Sequence, residues 1–283
     1  MAVLDDWFDT LEDTKGFFDR MVKAHPDLQV LLIKYPGQAG SACADDATLN
    51  NKMIASKVLG LLRGLDKKHV FKTSEEAFVL LGSGNGANIA LCMHTSAPSL
   101  NVSSVVLLNP FTHVDARIEM HLRSWLSSFG ISATVNLDLF WHLFAPSLLS
   151  RRYLKRTTPP LAMQIAPGVG EAAPLDLRSR LCEGTLAHED LRKAVKRVSA
   201  PVIILRGVDN PLVGREHGDA IAAALGVDPY EEQVGIRQCL RQREGCVVID
   251  VDCGHRMLLE SRSEVEETLD AVLAASRDIA RGN

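Results

Sequence analysis

Residues 78–91, FVLLGSGNGANIAL, constrain this chain more than any other stretch. An apolar run of strand length meets Gly82-Ser83-Gly84-Asn85-Gly86-Ala87 and passes at once into an apolar, helix-length run. So tight a strand-to-helix reversal needs backbone positions that side chains would block. Two spacings fit. G-x-G-x-x-G/A, on Gly82, Gly84 and Ala87, is the phosphate-cradling turn of dinucleotide folds. G-x-Nuc-x-G, on Gly82, Gly84 and Gly86, is a nucleophile elbow. On the second spacing the nucleophile position is Gly84, which has no side chain.

The surrounding pattern sets the fold class. Leu28–Ile33, Phe78–Leu81, Val105–Leu108, Val202–Leu205 and Val247–Val251 are continuous apolar runs of strand length. Helix-period segments separate them: Leu49 to Leu65, residues 85–96, and Ala220 to Leu225 with Gly226 as a left-handed stop. A last helix is expected to open on a capping box at Ser263-Glu264-Val265-Glu266. Buried strands alternating with helices specify an α/β protein with a mostly parallel sheet covered on both faces. Residues 112–200 break the alternation. They hold helical pieces with Trp125, Phe129, Phe140, Trp141 and Phe144, then a Pro/Gly/Ala-rich stretch around Pro159–Pro174. The expected organisation is a core in two parts, 1–111 and 201–283, with a helical cap inserted at 112–200, its aromatic residues packing on one another.

The formal net charge is −4, so no basic field suggests nucleic acid as a partner. The short run Arg151, Arg152, Lys155, Arg156 reads as a solvated helix face. Six scattered cysteines without a C-x-x-C pair read as reduced, mostly buried thiols. No apolar run reaches membrane-spanning length, and the acidic start MAVLDDWFDTLED lacks the features of a signal or transit peptide. A cytoplasmic setting, including a cytoskeletal one, is expected.

The two spacings make different demands elsewhere. A dinucleotide site needs an acid at the end of the next strand to hold the ribose, and SVVLLNPF ends in Asn109-Pro110 instead. The elbow finds its companions. Tyr35-Pro36-Gly37-Gln38-Ala39-Gly40-Ser41 is similar to the D-x-P-G-x-G-x-S loop of α/β-hydrolases. Ala200-Pro201-Val202-Ile203-Ile204-Leu205-Arg206-Gly207 resembles their strand leading to the catalytic acid. Asp252-Cys253-Gly254-His255 with Leu258-Leu259-Glu260 resembles their histidine segment. The resemblance covers about residues 14–280 and implies an α/β-hydrolase fold with reduced or missing N-terminal strands, leaving a sheet edge or groove to be covered.

Acyl-transfer chemistry needs a nucleophile, a histidine, an acid and an oxyanion hole. With Gly84 central, Gly82 and Gly86 are the small flanking residues the elbow requires. Ser83 is the tempting substitute nucleophile, but its flanks would be Leu81 and Asn85, which would clash. The acid pattern reads Gly207-Val208-Asp209-Asn210-Pro211-Leu212-Val213 and puts Asn210 in the acid's place, with Asp209 one residue early. His255 fits the histidine position, and its expected contact is a hydrogen bond with Asn210. The H-G oxyanion loop is replaced by Asp5-Asp6-Trp7-Phe8-Asp9. A glycine elbow together with Tyr35-Pro36-Gly37 is similar to the N-myc downstream-regulated (NDR) family, whose members are regarded as non-enzymatic.

The leading expectation is therefore a pseudoenzyme with an inactive triad (Gly84, Asn210, His255), kept as a body for contact with protein partners, with no cofactor and no metal. One alternative is a sensor holding a small apolar ligand near His255 and Asn210. Another is a hydrolase with an unusual nucleophile such as Ser83, or a water activated by His255. Residues 227–245, between the acid and histidine segments, are a candidate contact surface.

Overall fold

The computed structural model describes residues 1–6, 9–36, 38, 41, 43–44, 49–73, 76–132, 144–156, 175–231 and 234–280. Among these residues six strands form one parallel sheet: β1 (Ala2–Leu4), β2 (Leu31–Ile33), β3 (Phe78–Ser83), β4 (Val102–Leu108), β5 (Val202–Gly207) and β6 (Cys246–Val251). Their spatial order is β2-β1-β3-β4-β5-β6. The helices are α1 (Leu11–Ala24), α2 (Asn51–Lys67), α3 (Asn85–Ser96), α4 (Ala116–Ser132), α5 (Arg151–Arg156), α6 (Leu175–Leu186), α7 (Arg215–Ala224), α8 (Ile236–Gln242), α9 (Met257–Glu260) and α10 (Arg262–Ala280).

The strands are apolar throughout because both faces are covered. Leu80, Val105, Leu107, Val202 and Ile204 pack with α2 and α3 on one side. Leu81, Val106, Leu108, Ile203 and Leu205 pack with α1 and α10 on the other. The two-residue period of a strand sends alternate side chains into different cores. The order reverses between β1 and β3, so their carboxyl ends flank a crevice, the usual place for a site in such a sheet.

Two expected boundaries shift. The Leu28–Ile33 run pairs only over Leu31–Ile33, because its partner β1 is three residues long. The last helix begins at Arg262, two residues before the start that a capping box on Ser263 would set: Val265 N–H bonds to the Ser261 carbonyl (3.3 Å), and the Ser263 hydroxyl turns to Glu264 instead. Gly226 takes φ +78 just past α7, as a left-handed stop requires.

The described residues between β4 and β5 form helices and their connections, with no strand among them. Phe144 packs on both Trp125 (5.3 Å between centroids) and Phe129 (5.5 Å), so these rings form part of the core. Phe140, Trp141 and the Pro159–Pro174 stretch lie outside the described residues. In the basic run, Arg151 pairs with Asp209 and Arg152 with Asp252. Five of the six cysteines are buried.

Candidate active site

Gly84 follows β3 with φ +52 and ψ −118, a conformation that costs any residue with a Cβ about 1–3 kcal/mol. The flanking glycines are demanded by contact. A Cβ on Gly82 would lie 2.5 Å from the Ala87 Cα, and one on Gly86 would lie 2.2 Å from the Leu4 carbonyl oxygen. The strand-to-helix turn is thus clamped against its own helix and against the end of β1. Ser83 is the last residue of β3 and buried, and Asn85 is the first of α3.

The space above Gly84 is filled. A Cβ there would fall 2.4 Å from Asp6 Oδ2 and 2.9 Å from His255 Nε2. Asp6, in the loop after β1, is 4 % exposed and puts its carboxylate where an elbow side chain would stand. His255 Nε2 lies 2.9 Å from Asp6 Oδ2, and His255 Nδ1 lies 3.3 Å from Asn210 Nδ2. All three residues are buried.

The proton on this histidine can be located. Asn210 Oδ1 accepts from the backbone N–H of Leu212 (3.0 Å) and of Val213 (3.1 Å), which fixes the amide. Its Nδ2 therefore faces the ring and donates to Nδ1. The ring proton sits on Nε2 and is donated to Asp6. A general base at an elbow needs the reverse: a proton on Nδ1, held by the acid, and a free lone pair on Nε2.

Other residues hold this arrangement. Asn109, at φ +50 after β4, donates through Nδ2 to the carbonyls of Gly254 (3.0 Å) and His255 (2.9 Å) and accepts from Gly207 N–H (2.7 Å). Glu260 accepts from the N–H groups of Gly254 (3.1 Å) and Ser150 (3.0 Å), tying the histidine loop to the start of α5. Its carboxyl pKa is raised, chiefly by burial. His255 N–H itself bonds to the Leu148 carbonyl (2.8 Å). Asp209 does not reach His255; its carboxylate accepts from Arg151 N–H (2.8 Å) and Nε (3.1 Å).

The rest of the acidic run builds a buried ionic belt beside the crevice. Asp5 pairs with Lys34 and accepts from the Thr14 hydroxyl (2.7 Å); Asp9 pairs with Arg256 (3.1 Å). Burial pushes the Asp5 carboxyl up to about 7 despite the opposing pull of Lys34. Burial also raises Asp9, with Arg256 pulling the other way. Asp6 and Asn109 are the positions that sequence reading missed. The signal for Asp6 was an acidic run standing where an H-G loop is expected.

One acid–histidine cluster lies elsewhere. Asp115, Glu216 and His217 bring ligand atoms within 4.8 Å of one another, which their spacing along the chain did not suggest. The donor set suits a metal poorly. His217 Nδ1 accepts from Thr112 N–H (3.4 Å), so the proton lies on Nε2, facing Asp115 Oδ2 at 3.2 Å, and Glu216 is exposed. A ligating Nε2 would have to give up that proton.

No family model matches the chain, and no curated protein does. Solved structures do. An α/β-hydrolase enzyme from a Medee basin deep-sea metagenome library superposes with a TM-score of 0.73 at 13 % identity, covering 96 % of this chain and 88 % of that one. The enol-lactonase from Burkholderia xenovorans gives 0.73 at 16 %, covering 96 % and 90 %. An esterase from Exiguobacterium antarcticum gives 0.71 at 16 %, covering 95 % and 90 %. The chain has the α/β-hydrolase fold.

Proposed function

We propose that this chain is a non-catalytic member of the hydrolase fold, a pseudoenzyme that serves as a body for protein contacts. One observation carries the reading: the Asp6 carboxylate occupies the volume above Gly84 and takes the Nε2 proton of His255. Three further points support it. The acid position is Asn210, whose amide sets the unproductive tautomer. Ser83 ends a buried strand and lacks the elbow's geometry. The glycine elbow is the feature by which the sequence resembles the NDR family. Residues 227–245 remain the favoured contact segment; they carry α8 and Tyr230, whose side chain is exposed. Among the described helices none is long and apolar enough to cross a membrane. A ligand sensor at the elbow is the weaker reading, because Asp6 takes the space a ligand would need.

The test is a fluorophosphonate probe read by intact mass, on the natural protein, Gly84→Ser, and Gly84→Ser combined with Asp6→Gly and Asn210→Asp. No labelling is expected for the first two. The triple variant, with the space cleared and an acid restored, is expected to label. Labelling of the natural protein at Ser83 would make it an enzyme. The contact role is tested by purifying the tagged natural protein from its own cells. Stoichiometric partner chains are expected; recovery of this chain alone would count against a subunit role.

A further inference from the structure

Charge is unevenly placed on this chain. The formal net charge is −4, yet one helix is almost wholly positive. α2 holds Lys52, Lys57, Arg63 and Lys67, with Lys68 at its C-cap, against a single acid, Asp66. At about 3.6 residues per turn the five basic residues fall on one half of the helix surface, and Asp66 falls outside it. All five are exposed, while Asp66 is half-buried. The other half is apolar, with Ile54, Ala55, Val58, Leu59 and Leu62 buried in the core. Lys52 pairs with Glu189 (3.3 Å). Lys57, Arg63, Lys67 and Lys68 have no ion pair among the described residues.

Apolar surface borders this basic face. β2 is an edge of the sheet. Between it and α2 lies a half-open groove of about 410 Å³, lined by Ile33, Leu49, Met53, Val58 and Leu61, with Lys57 in its wall and no acid among its described residues. Leu61 is 45 % exposed, and Val70, two residues past Lys68, is 54 % exposed. Val70 stands by the start of β2, where its carbonyl accepts from the Gln29 side chain (3.1 Å). Apolar side chains left in water beside a charged rim mark a contact surface.

Two kinds of partner present negative charge and apolar groups together: an acidic protein segment and an anionic membrane. The residue types favour the membrane. Four of the five cations are lysines. Protein interfaces are depleted in lysine and enriched in arginine, whose planar fork fits a fixed carboxylate. Unpaired lysines beside exposed apolar side chains suit a plane of diffuse charge lying over acyl chains.

We propose that the α2–β2 edge of the molecule docks on an anionic lipid surface, with Lys57, Arg63, Lys67 and Lys68 over the headgroups and Leu61 and Val70 entering the interface. Residues 227–245 lead into β6, at the opposite edge of the sheet, and neither Asp6 nor His255 takes part. The docking therefore stands apart from the pseudoenzyme reading.

The experiment is co-sedimentation of the whole chain with vesicles of phosphatidylcholine carrying about 30 % phosphatidylserine, and with vesicles of phosphatidylcholine alone. The protein is expected to pellet with the first and to stay in solution with the second. Each basic residue near an anionic surface adds about fivefold to affinity, so Lys57→Gln with Lys68→Gln should weaken binding about 25-fold. Leu61→Asn should weaken it further. Both changes are at exposed positions, and the melting temperature checks the fold. Lys155→Gln with Arg156→Gln, the same loss of charge on α5, should leave binding unchanged. No pelleting with phosphatidylserine, equal pelleting with phosphatidylcholine alone, or an equal loss from the α5 pair would overturn the proposal. So would release from the vesicles by soluble polyglutamate, charge for charge, which would make this face a site for an acidic protein segment.

Discussion

His255 and His188 are two buried rings set by the same device and left in opposite situations. In each, a side-chain amide, Asn210 or Asn51, donates to Nδ1 and drives the proton onto Nε2. At His255 the Nε2–H finds a carboxylate from its own chain, Asp6, 2.9 Å away. At His188 it is buried and has no hydrogen-bond partner among the described residues. The difference lies in the acceptor, not in the ring. An elbow supplied with an internal acid has its space filled and its donor matched, whereas an unmatched buried donor destabilises the fold that holds it.

Adding an atom at the filled end has the largest expected effect. Gly84→Ser forces a Cβ to 2.4 Å from Asp6 Oδ2 and holds it at φ +52. Overpacking and strain together cost about 3–5 kcal/mol in denaturant unfolding. Asp6→Gly in the same chain removes the clash but not the strain, so the pair should be less destabilised than Gly84→Ser alone. Simple additivity of the two changes would mean that Asp6 does not occupy this space.

The belt next to Asp6 gives a pH effect whose sign is fixed. Asp5 rises from 3.8 to about 7 in the fold, through burial first, so between about pH 4 and 7 the folded chain holds a proton that the unfolded chain has lost. Its contribution to stability is complete at the acid end and disappears as pH climbs through about 7. His188 works the other way. Burial lowers it to about 4, so its contribution is lost as pH falls below the ordinary histidine range. The two are separated by the difference in melting temperature between the natural protein and Asp5→Asn. The natural protein should lose more stability than the variant from pH 5 to pH 7.5. Parallel curves would sink the assignment.

Making His255 resemble His188 is a smaller change. Asp6→Ala leaves the Nε2–H of His255 without its acceptor, at a cost of about 1.5–3 kcal/mol. On NMR the His255 Nε2 signal should move toward that of His188, with the tautomer unchanged because Asn210 still holds Nδ1. A switch of tautomer on loss of Asp6 would show that Asn210 does not control the ring.

Much of this was legible in the sequence, and what was not has a common physical cause. The apolar runs gave β3 to β6 because a strand buried on both faces must be apolar throughout. The glycine spacing located the elbow because Gly82 and Gly86 each abut backbone. The order of motifs was enough to expect Asn210 and His255 to meet. Asp6 was not singled out, since which of the buried acids Asp5, Asp6 and Asp9 turns to the elbow depends on the register of a three-residue strand. The side-chain hydrogen bonds from Asn85 through Asn51 to His188 were equally silent: Asn51 stands 34 residues from Asn85 and 137 from His188, and asparagines carry no periodic signature. The start of the last helix was misplaced because Ser261 and Ser263, each three residues before a glutamate, offer the same pattern two residues apart.

The smallest expected effect separates Asp209 from Asn210, neighbours with unlike roles. Asp209 points to Arg151, whose side chain is largely exposed, so Asp209→Ala should cost about 0.5 kcal/mol and leave the His255 signals where they are. Asn210→Ala removes the acceptor of two buried N–H groups and the donor to Nδ1, at about 1–3 kcal/mol. It also releases the ring to place its proton on either nitrogen. If instead the Asp209 variant disturbed His255 as strongly, the acid one residue early would be the functional one, and the elbow would be better supplied than the present geometry implies.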